Sequence, residues 1–245
     1  MVKEIKIKIQ KFDPEKDDKP YYKEYTVPFH KTMRILDAIK YIQESLDGTL
    51  AYRWNCSMGI CGSCAMEING VPVLTCKTEL KPNLLGIRIS PLKAFPIIKD
   101  LVPDYSPVFD REKRMKLFFV SDNPKGEFLR MKNDEIKEVR KFRSCIECMI
   151  CCDSCRPFRD GNVDFLGPKS IVKAMAYDLH PRDKLNRKKI IEDEGLWNCN
   201  TTRCCQNSCP QGITITDEGI IPVQEGKNKQ IKEKSFINQV KDTLK

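Results

Sequence analysis

Along the first part of the chain, apolar residues recur at every second position. Ile5, Ile7 and Ile9 alternate with Lys6, Lys8 and Gln10, the period of a strand with one buried face. Asp13-Pro14 and the charged run to Pro20 predict a turn, and Tyr21 to Val27 predict a second strand bounded by Pro28. The period then becomes helical. Ile35, Leu36, Ile39, Ile42 and Leu46 fall on one face, Thr32 is placed to cap that helix, and Gly48 lies just past its end. Ala65–Ile68 and Val71–Leu74 flank Asn69-Gly70, a dipeptide suited to a type I′ hairpin turn. Pro72 cannot donate to a ladder, so its strand belongs at a sheet edge. Prolines 91, 96, 103 and 107 make the stretch from Pro91 to Asp110 read as a linker. Beyond it the strand pattern disappears. Asp134 to Phe142 predicts one helix, Pro168 opens another with Ile171, Val172, Met175 and Leu179 on its buried face, and the Lys-rich tail from Gly226 to Lys245 predicts a third. These patterns predict an α+β chain with a strand-rich domain over 1–105 and a helical domain over 106–245.

Composition narrows the class. The chain has 245 residues, 40% hydrophobic and 31% charged, an ordinary globular balance. Its longest apolar runs, such as Met115 to Val120, are too short to span a bilayer. The N-terminus lacks the apolar block of a secretory signal and the Arg-rich, acid-poor character of a transit peptide, so a cytoplasmic prokaryotic protein is expected. The net charge of +9 comes without a nucleic-acid-binding pattern, because Lys residues are dispersed and aromatic residues are not interleaved with them. The densest basic stretch, Arg182 to Lys189, reads as a solvated helix face, with a lipid- or anchor-facing surface as the minority reading.

The 13 cysteines change the picture. In a reducing compartment such a number points to metal rather than to disulfides. Cys56, Cys61, Cys64 and Cys76 follow C-x4-C-x2-C-x11-C, the plant-type ferredoxin spacing for a 2Fe–2S cluster. Gly59 and Gly62 let the loop backbone approach the cluster sulfides, where amide N–H groups offset its charge. Structural zinc, which pairs ligands as C-x2-C, fits the x4 gap poorly. With its helix and strands, this loop suits a β-grasp-like domain. Cys145, Cys148, Cys151 and Cys155 follow the bacterial ferredoxin run, in which the fourth cysteine serves the other cluster. Cys199, Cys205 and Cys209 repeat that run with its second cysteine missing, and Thr202 stands in the gap. The crossing rule assigns Cys145, Cys148, Cys151 and Cys209 to a 4Fe–4S cluster and Cys155, Cys199 and Cys205 to a 3Fe–4S cluster. Cys152 and Cys204 remain. They read first as buried free thiols, with Cys204 as a fourth corner of the third cluster left open.

These frameworks resemble the iron–sulfur subunit of the succinate dehydrogenase/fumarate reductase family, and the likeness covers nearly the whole chain. Tyr52 to Cys64 matches the family's first-cluster loop, and Cys76-Lys77-Thr78 and Phe95 to Val102 match the segments that follow. Phe165-Leu166-Gly167-Pro168, Pro181-Arg182-Asp183 and Gly195 to Cys199 match further on. The resemblance implies an N-terminal β-grasp 2Fe–2S ferredoxin domain followed by a bacterial-ferredoxin-like helical domain. It implies an FAD-carrying flavoprotein partner that interconverts succinate and fumarate, and one-electron transfer through the three clusters to a quinone at a membrane anchor. This subunit would carry no substrate site of its own and would lie peripherally on the cytoplasmic face of the cell membrane.

One departure bears on the acceptor. The family pattern has Cys-Pro at the last cysteine of the first ferredoxin run, often with Trp soon after. Here the order is Cys155-Arg156-Pro157-Phe158-Arg159-Asp160. The quinone contacts are where this chain departs, and a fumarate reductase with a thiol or heterodisulfide-type partner is the second reading. A zinc-stabilised interaction module is a distant third. A free-standing enzyme finds no support in the residues, since His30 and His180 lie away from the cysteine runs and no nucleotide-binding Gly loop is present.

Overall fold

The computed structural model describes residues 3–81, 86–121 and 130–226. Strand β1 (Lys3–Lys11) pairs antiparallel with β2 (Tyr21–Phe29), with Ile5 opposite Val27 and Ile7 opposite Tyr25. Ile5, Ile7 and Ile9 are buried while Lys6 and Lys8 face solvent, as the alternation requires. The hairpin partners β3 (Ala65–Ile68) and β4 (Val71–Leu74) meet around Asn69-Gly70, both with positive φ. With β5 (Ile87–Ser90) they complete a mixed sheet of order β2-β1-β5-β3-β4, in which β5 runs parallel to β1. Pro28 and Pro72 lie on the edge strands β2 and β4, the places in a sheet that tolerate a missing N–H.

Helix α1 (Ile35–Tyr41) packs Ile35 and Ile39 onto this sheet beside Ile7, Ile9, Met66, Ile87 and Ile89. Two local expectations need correction. Thr32 is not the cap. The chain is still extended at Arg34, which bridges to Glu79, and the Arg34 N–H donates to the Asp37 carboxylate at 2.8 Å. Leu46 is 46% exposed rather than buried, because the helix widens into a π-turn over Ile42–Leu46. The wider turn shifts the phase of the apolar stripe by about one residue.

The proline-rich stretch is no slack linker. It forms a small antiparallel sheet from β6 (Ile97–Lys99) and β7 (Val102–Pro103), and it buries Leu92, Phe95 and Leu101. Helices follow: α2 (Ser106–Arg114), α3 (Asn133–Arg143), α4 (Ile150–Ser154), α5 (Arg156–Arg159), α6 (Pro168–Asp178), α7 (Arg187–Asp193), α8 (Cys204–Asn207) and α9 (Ile221–Gln224). Ile171, Val172 and Met175 of α6 are buried as their spacing predicts, whereas Leu179, just past the helix end, is half-buried against the same core, and Val139 and Phe142 of α3 are buried too. The predicted tail helix lies, past Gly226, outside the described residues. Among the described residues no helix is long and apolar enough to cross a membrane.

The basic stretch is not wholly solvated. Arg187 is fully buried, pairs with Asp183 and donates to the carbonyls of Lys116 and Phe118, both at 2.7 Å. A guanidinium supplies enough donors to satisfy three acceptors at once, so its burial is compensated.

The two halves share one core. Leu36, Ala65, Leu74 and Phe95 from the strand-rich half pack in the same apolar cluster as Phe158, Leu166 and Ile171. Phe95 meets Tyr105 edge-on at 4.9 Å and Phe158 at 5.8 Å. Polar bonds cross the seam as well. Arg159 Nη2 donates to Glu67 Oε1 at 2.9 Å, and the Ala94 N–H donates to Asp153 Oδ1 at 2.9 Å.

Candidate metal centres

Cys56 to Cys64 form the loop that enters β3. Positive φ at Ser57, Gly59 and Gly62 turns its amides inward. Three of them, from Met58, Ile60 and Cys61, donate to Cys56 Sγ at 3.3–3.4 Å. The Met58 N–H and then the Ile60 and Cys61 N–H groups bring the Cys56 thiol down to about 6. A thiolate held by backbone dipoles is what an anionic cluster's ligand needs. Cys76, just past β4, is buried against Cys64. Burial first, and then the Cys64 thiol beside it, push Cys76 up to about 11. Gly59 adopts φ +79°, which disfavours a side chain, and a Cβ there would lie 2.9 Å from the Lys77 side chain, which would have to shift. Trp54, Met58 and Ile60 on the same loop are exposed.

The second loop runs from Cys145 to α4. Glu147 and Met149 both adopt positive φ, and this alternation lets a short segment present several thiols and amides to one side. Cys145, Cys148 and Cys151 line an apolar cavity with Val172 and Ile213, and Cys209 lines the same cavity. Burial raises Cys145, and it pushes Cys148 up to about 12. Cys151 is raised by a hydrogen bond with Cys152 and by burial. Thiols this reluctant to ionise in an apolar cavity become thiolates when a cationic centre takes them, with release of protons. The donor set therefore fits an iron–sulfur cluster.

The third loop repeats the second almost residue for residue. Positive φ occurs at Thr201 and Arg203, two and four residues after Cys199, as at Glu147 and Met149 after Cys145. A short helix then begins at Cys204 as at Ile150, with Cys205 in the place of Cys151. In this register Thr202 stands where Cys148 stands. Cys199 Sγ accepts the Thr201 N–H at 3.4 Å, and Cys205 Sγ lies 3.5 Å from Thr216 Oγ1. Burial raises Cys155 and Cys199 and pushes Cys205 up to about 11, and the charge of Cys204 adds to all three. Cys155 feels the Cys204 and Cys205 thiols of the third loop, and Cys152 beside the second as well.

Of the leftover thiols, Cys152 is fully buried as expected, whereas Cys204 is only half-buried. His30 is exposed. His180 stacks edge-on against Phe119 at 4.6 Å and accepts the Arg182 N–H, a packing role. The residues that sequence reasoning missed are charged ones. Lys169 is fully buried on α6 and lines the cavity of Cys145, Cys148, Cys151 and Cys209. Its Nζ lies 2.7 Å from Glu112 Oε2 and 3.2 Å from Glu147 Oε2. Its sequence context offered little signal, because the same helix also carries Lys173 and Asp178. Phe158 and Arg159, in the segment that departs from the expected motif, are occupied in clasping the strand-rich half.

Comparison with known proteins agrees with this geometry. Residues 6–110 match a 2Fe-2S iron-sulfur cluster binding domain, and residues 141–213 match a 4Fe-4S dicluster domain. The fumarate reductase iron-sulfur subunit of Mycobacterium tuberculosis is 37% identical over 221 residues, spanning 87% of this chain and 89% of that protein. A subunit of the fumarate reductase (CoM/CoB) of Methanothermobacter marburgensis is 32% identical over 88% of this chain, which corresponds to 43% of its own length. A chain of the Mycobacterium smegmatis Sdh1 complex superposes with a TM-score of 0.85 at 33% identity, covering 94% of this chain and 98% of that one. The chain belongs to the iron–sulfur subunits of the fumarate reductase/succinate dehydrogenase family, the electron-transfer part of that oxidoreductase complex, with a strand-rich 2Fe–2S domain followed by a helical 4Fe–4S dicluster domain.

Proposed function

We propose that this chain carries single electrons between the FAD of a flavoprotein partner and a quinone at a membrane anchor, at the cytoplasmic face of the cell membrane. Residues 1–105 form the 2Fe–2S domain, with Cys56, Cys61, Cys64 and Cys76 as ligands. Residues 106–245 hold a 4Fe–4S cluster on Cys145, Cys148, Cys151 and Cys209 and a 3Fe–4S cluster on Cys155, Cys199 and Cys205. When bound, such clusters supply one-electron carriers that divide a two-electron reaction into single steps. The residues orient them, exclude water and set the local charge. The observation that carries this reading is Cys209, remote in sequence, in the cavity of the second loop. Cys209→Ser should abolish the 4Fe–4S resonance of the dithionite-reduced complex and leave the third-site signal in place. Loss of the third-site signal instead would refute the crossed assignment.

A second reading replaces the quinone by a thiol pair. It is favoured by the burial of Phe158 in the core and by the likeness to a protein whose name specifies CoM/CoB. Fumarate reduction by the purified complex, driven either by a quinol or by coenzyme M plus coenzyme B, separates the two. Turnover with the quinol alone supports the anchor reading, and turnover with the thiols alone supports the other.

Lys169 sets the charge beside the second set. A buried cation stabilises the thiolates and the added electron. Lys169→Met should make the 4Fe–4S potential more negative by on the order of tens of millivolts, read by a potentiometric titration followed by electron paramagnetic resonance. An unchanged potential would mean that Glu112 and Glu147 fully neutralise the lysine.

A further inference from the structure

The third loop leaves two features unexplained: a hydroxyl where its twin has a thiolate, and a spare thiol beside that hydroxyl. Thr202 Oγ1 donates to Asn200 Oδ1 at 2.9 Å and lies 3.5 Å from Cys204 Sγ. By register, Thr202 marks the corner that Cys148 fills in the second loop. The Cys204 thiol therefore lies beside the register position at which this loop has a hydroxyl and its twin a thiol. The residue in the same register of the second loop is Ile150, buried in the core, so the loop's fold does not call for a thiol at this position. Cys204 is half-buried, open to an entering ion, whereas the other spare thiol, Cys152, is sealed.

We propose that Cys204 is a fourth, conditional donor at the third site, through which the site captures one ferrous ion and passes from a 3Fe–4S to a 4Fe–4S cluster. This rests on the reading of Cys155, Cys199 and Cys205 as cluster ligands. Successive helix residues diverge by roughly 100°, so Cys204 and Cys205 reach different corners of one cubane rather than the same iron. The electrostatic influence of Cys204 on Cys155, Cys199 and Cys205 agrees with its place among them. The step balances without oxidation or reduction. A one-electron-reduced 3Fe–4S core, formally neutral, binds Fe(II), the Cys204 S–H bond breaks, its proton goes to water, and an S–Fe bond forms. The resulting core is formally doubly positive. Starting from the oxidised 3Fe–4S core, a one-electron reductant such as dithionite supplies the missing electron. The site would thereby couple the nuclearity of the last carrier to ferrous iron and reducing conditions.

The test uses the full chain in complex with its flavoprotein partner. Wild type, Cys204→Ser and the double variant Cys204→Ser/Thr202→Cys are incubated anaerobically with ferrous salt and dithionite. They are then freed of excess iron, mildly reoxidised and examined by electron paramagnetic resonance and iron analysis. The wild type should lose its 3Fe–4S signal several-fold and gain one iron per chain. Cys204→Ser should keep the signal. The double variant, with a thiol in the register of Cys148, should regain the uptake. A wild type that is isolated with the 4Fe–4S form, while Cys204→Ser is isolated with 3Fe–4S, carries the same conclusion. A wild-type signal that persists, or equal conversion in Cys204→Ser, overturns the proposal. If both proteins contain only the iron of the first two clusters, the reading of the third site fails, and the proposal falls with it.

Discussion

Replacing Gly62 by alanine should loosen the joint between the first two cysteine loops and destabilise the chain by about 2–5 kcal/mol. Gly62 has φ +73°, a conformation that disfavours L side chains. A Cβ there would lie 2.6 Å from the Ile146 carbonyl oxygen, 2.9 Å from Cys148 Cβ and 3.0 Å from Cys148 Cα. Those neighbours are backbone and a proposed cluster ligand, so neither can swing aside. Gly70 supplies the control. It has φ +83°, yet nothing lies within 4 Å of its added Cβ, so Gly70→Ala costs only the backbone term of roughly 1 kcal/mol. Thermal unfolding should separate the two variants, and rapid-freeze reduction kinetics should show slower passage from the first cluster to the second only in Gly62→Ala. Equal losses in both would mean that the close approach of the loops contributes nothing.

Removal of the Arg159 side chain should cost about 2–4 kcal/mol, and more at alkaline than at acidic pH. Glu67 is fully buried on β3, held by Arg159 at 2.9 Å, with Lys93 Nζ 2.8 Å from its other oxygen as an ion pair without hydrogen-bond alignment. Asp153 is equally buried beside it. Burial pushes the Asp153 carboxyl up to about 7, the Ala94 N–H opposes this, and the charge of Glu67 reinforces it. A carboxyl raised from 3.8 favours the protonated folded state. Its contribution is fully present below about pH 4 and is lost as the pH rises through about 7. Arg159 holds Asp153 down as well as Glu67 in place, so Arg159→Ala sharpens that alkaline loss. Chemical denaturation at about pH 6 and about pH 8 should show the larger difference at the higher value. Adding Glu67→Gln to Arg159→Ala should recover much of it by removing a buried charge left with Lys93 as its one cation among the described residues. A pH-independent cost would show that Arg159 acts only by packing.

Near-sequence patterns needed little help from the fold. The alternation of Ile5, Ile7 and Ile9, the Asn69-Gly70 turn and the stripe of Ile171, Val172 and Met175 each reduce to a local period, and each appears where that period puts it. The family too was legible, because ligand spacing in a cluster-binding loop is dictated by the size of the cluster it must wrap. The errors arose where a second element intervened. Thr32 lost its cap position to a bridge between Arg34 and Glu79, and Leu46 lost its place in the core to a π-turn. The proline-rich stretch looked like a linker because prolines exclude regular ladders, yet Phe95 had a core to enter once Phe158 arrived from the other half and Tyr105 folded back from the stretch itself.

By itself, then, the sequence determined the composition of each loop: which thiols lie close along the chain, which positions are free for turns, and which faces are apolar. Only the tertiary structure decided which distant groups meet. It brought Lys169, Glu112 and Glu147 to the cavity of Cys145, Cys148, Cys151 and Cys209, of which the spacing had foretold only the thiols, and set Glu67 against Arg159. The physical reason is one of range. Backbone periodicity and turn chemistry act over a few residues, whereas burying a charge or gathering thiols depends on partners supplied by other elements of a packed core.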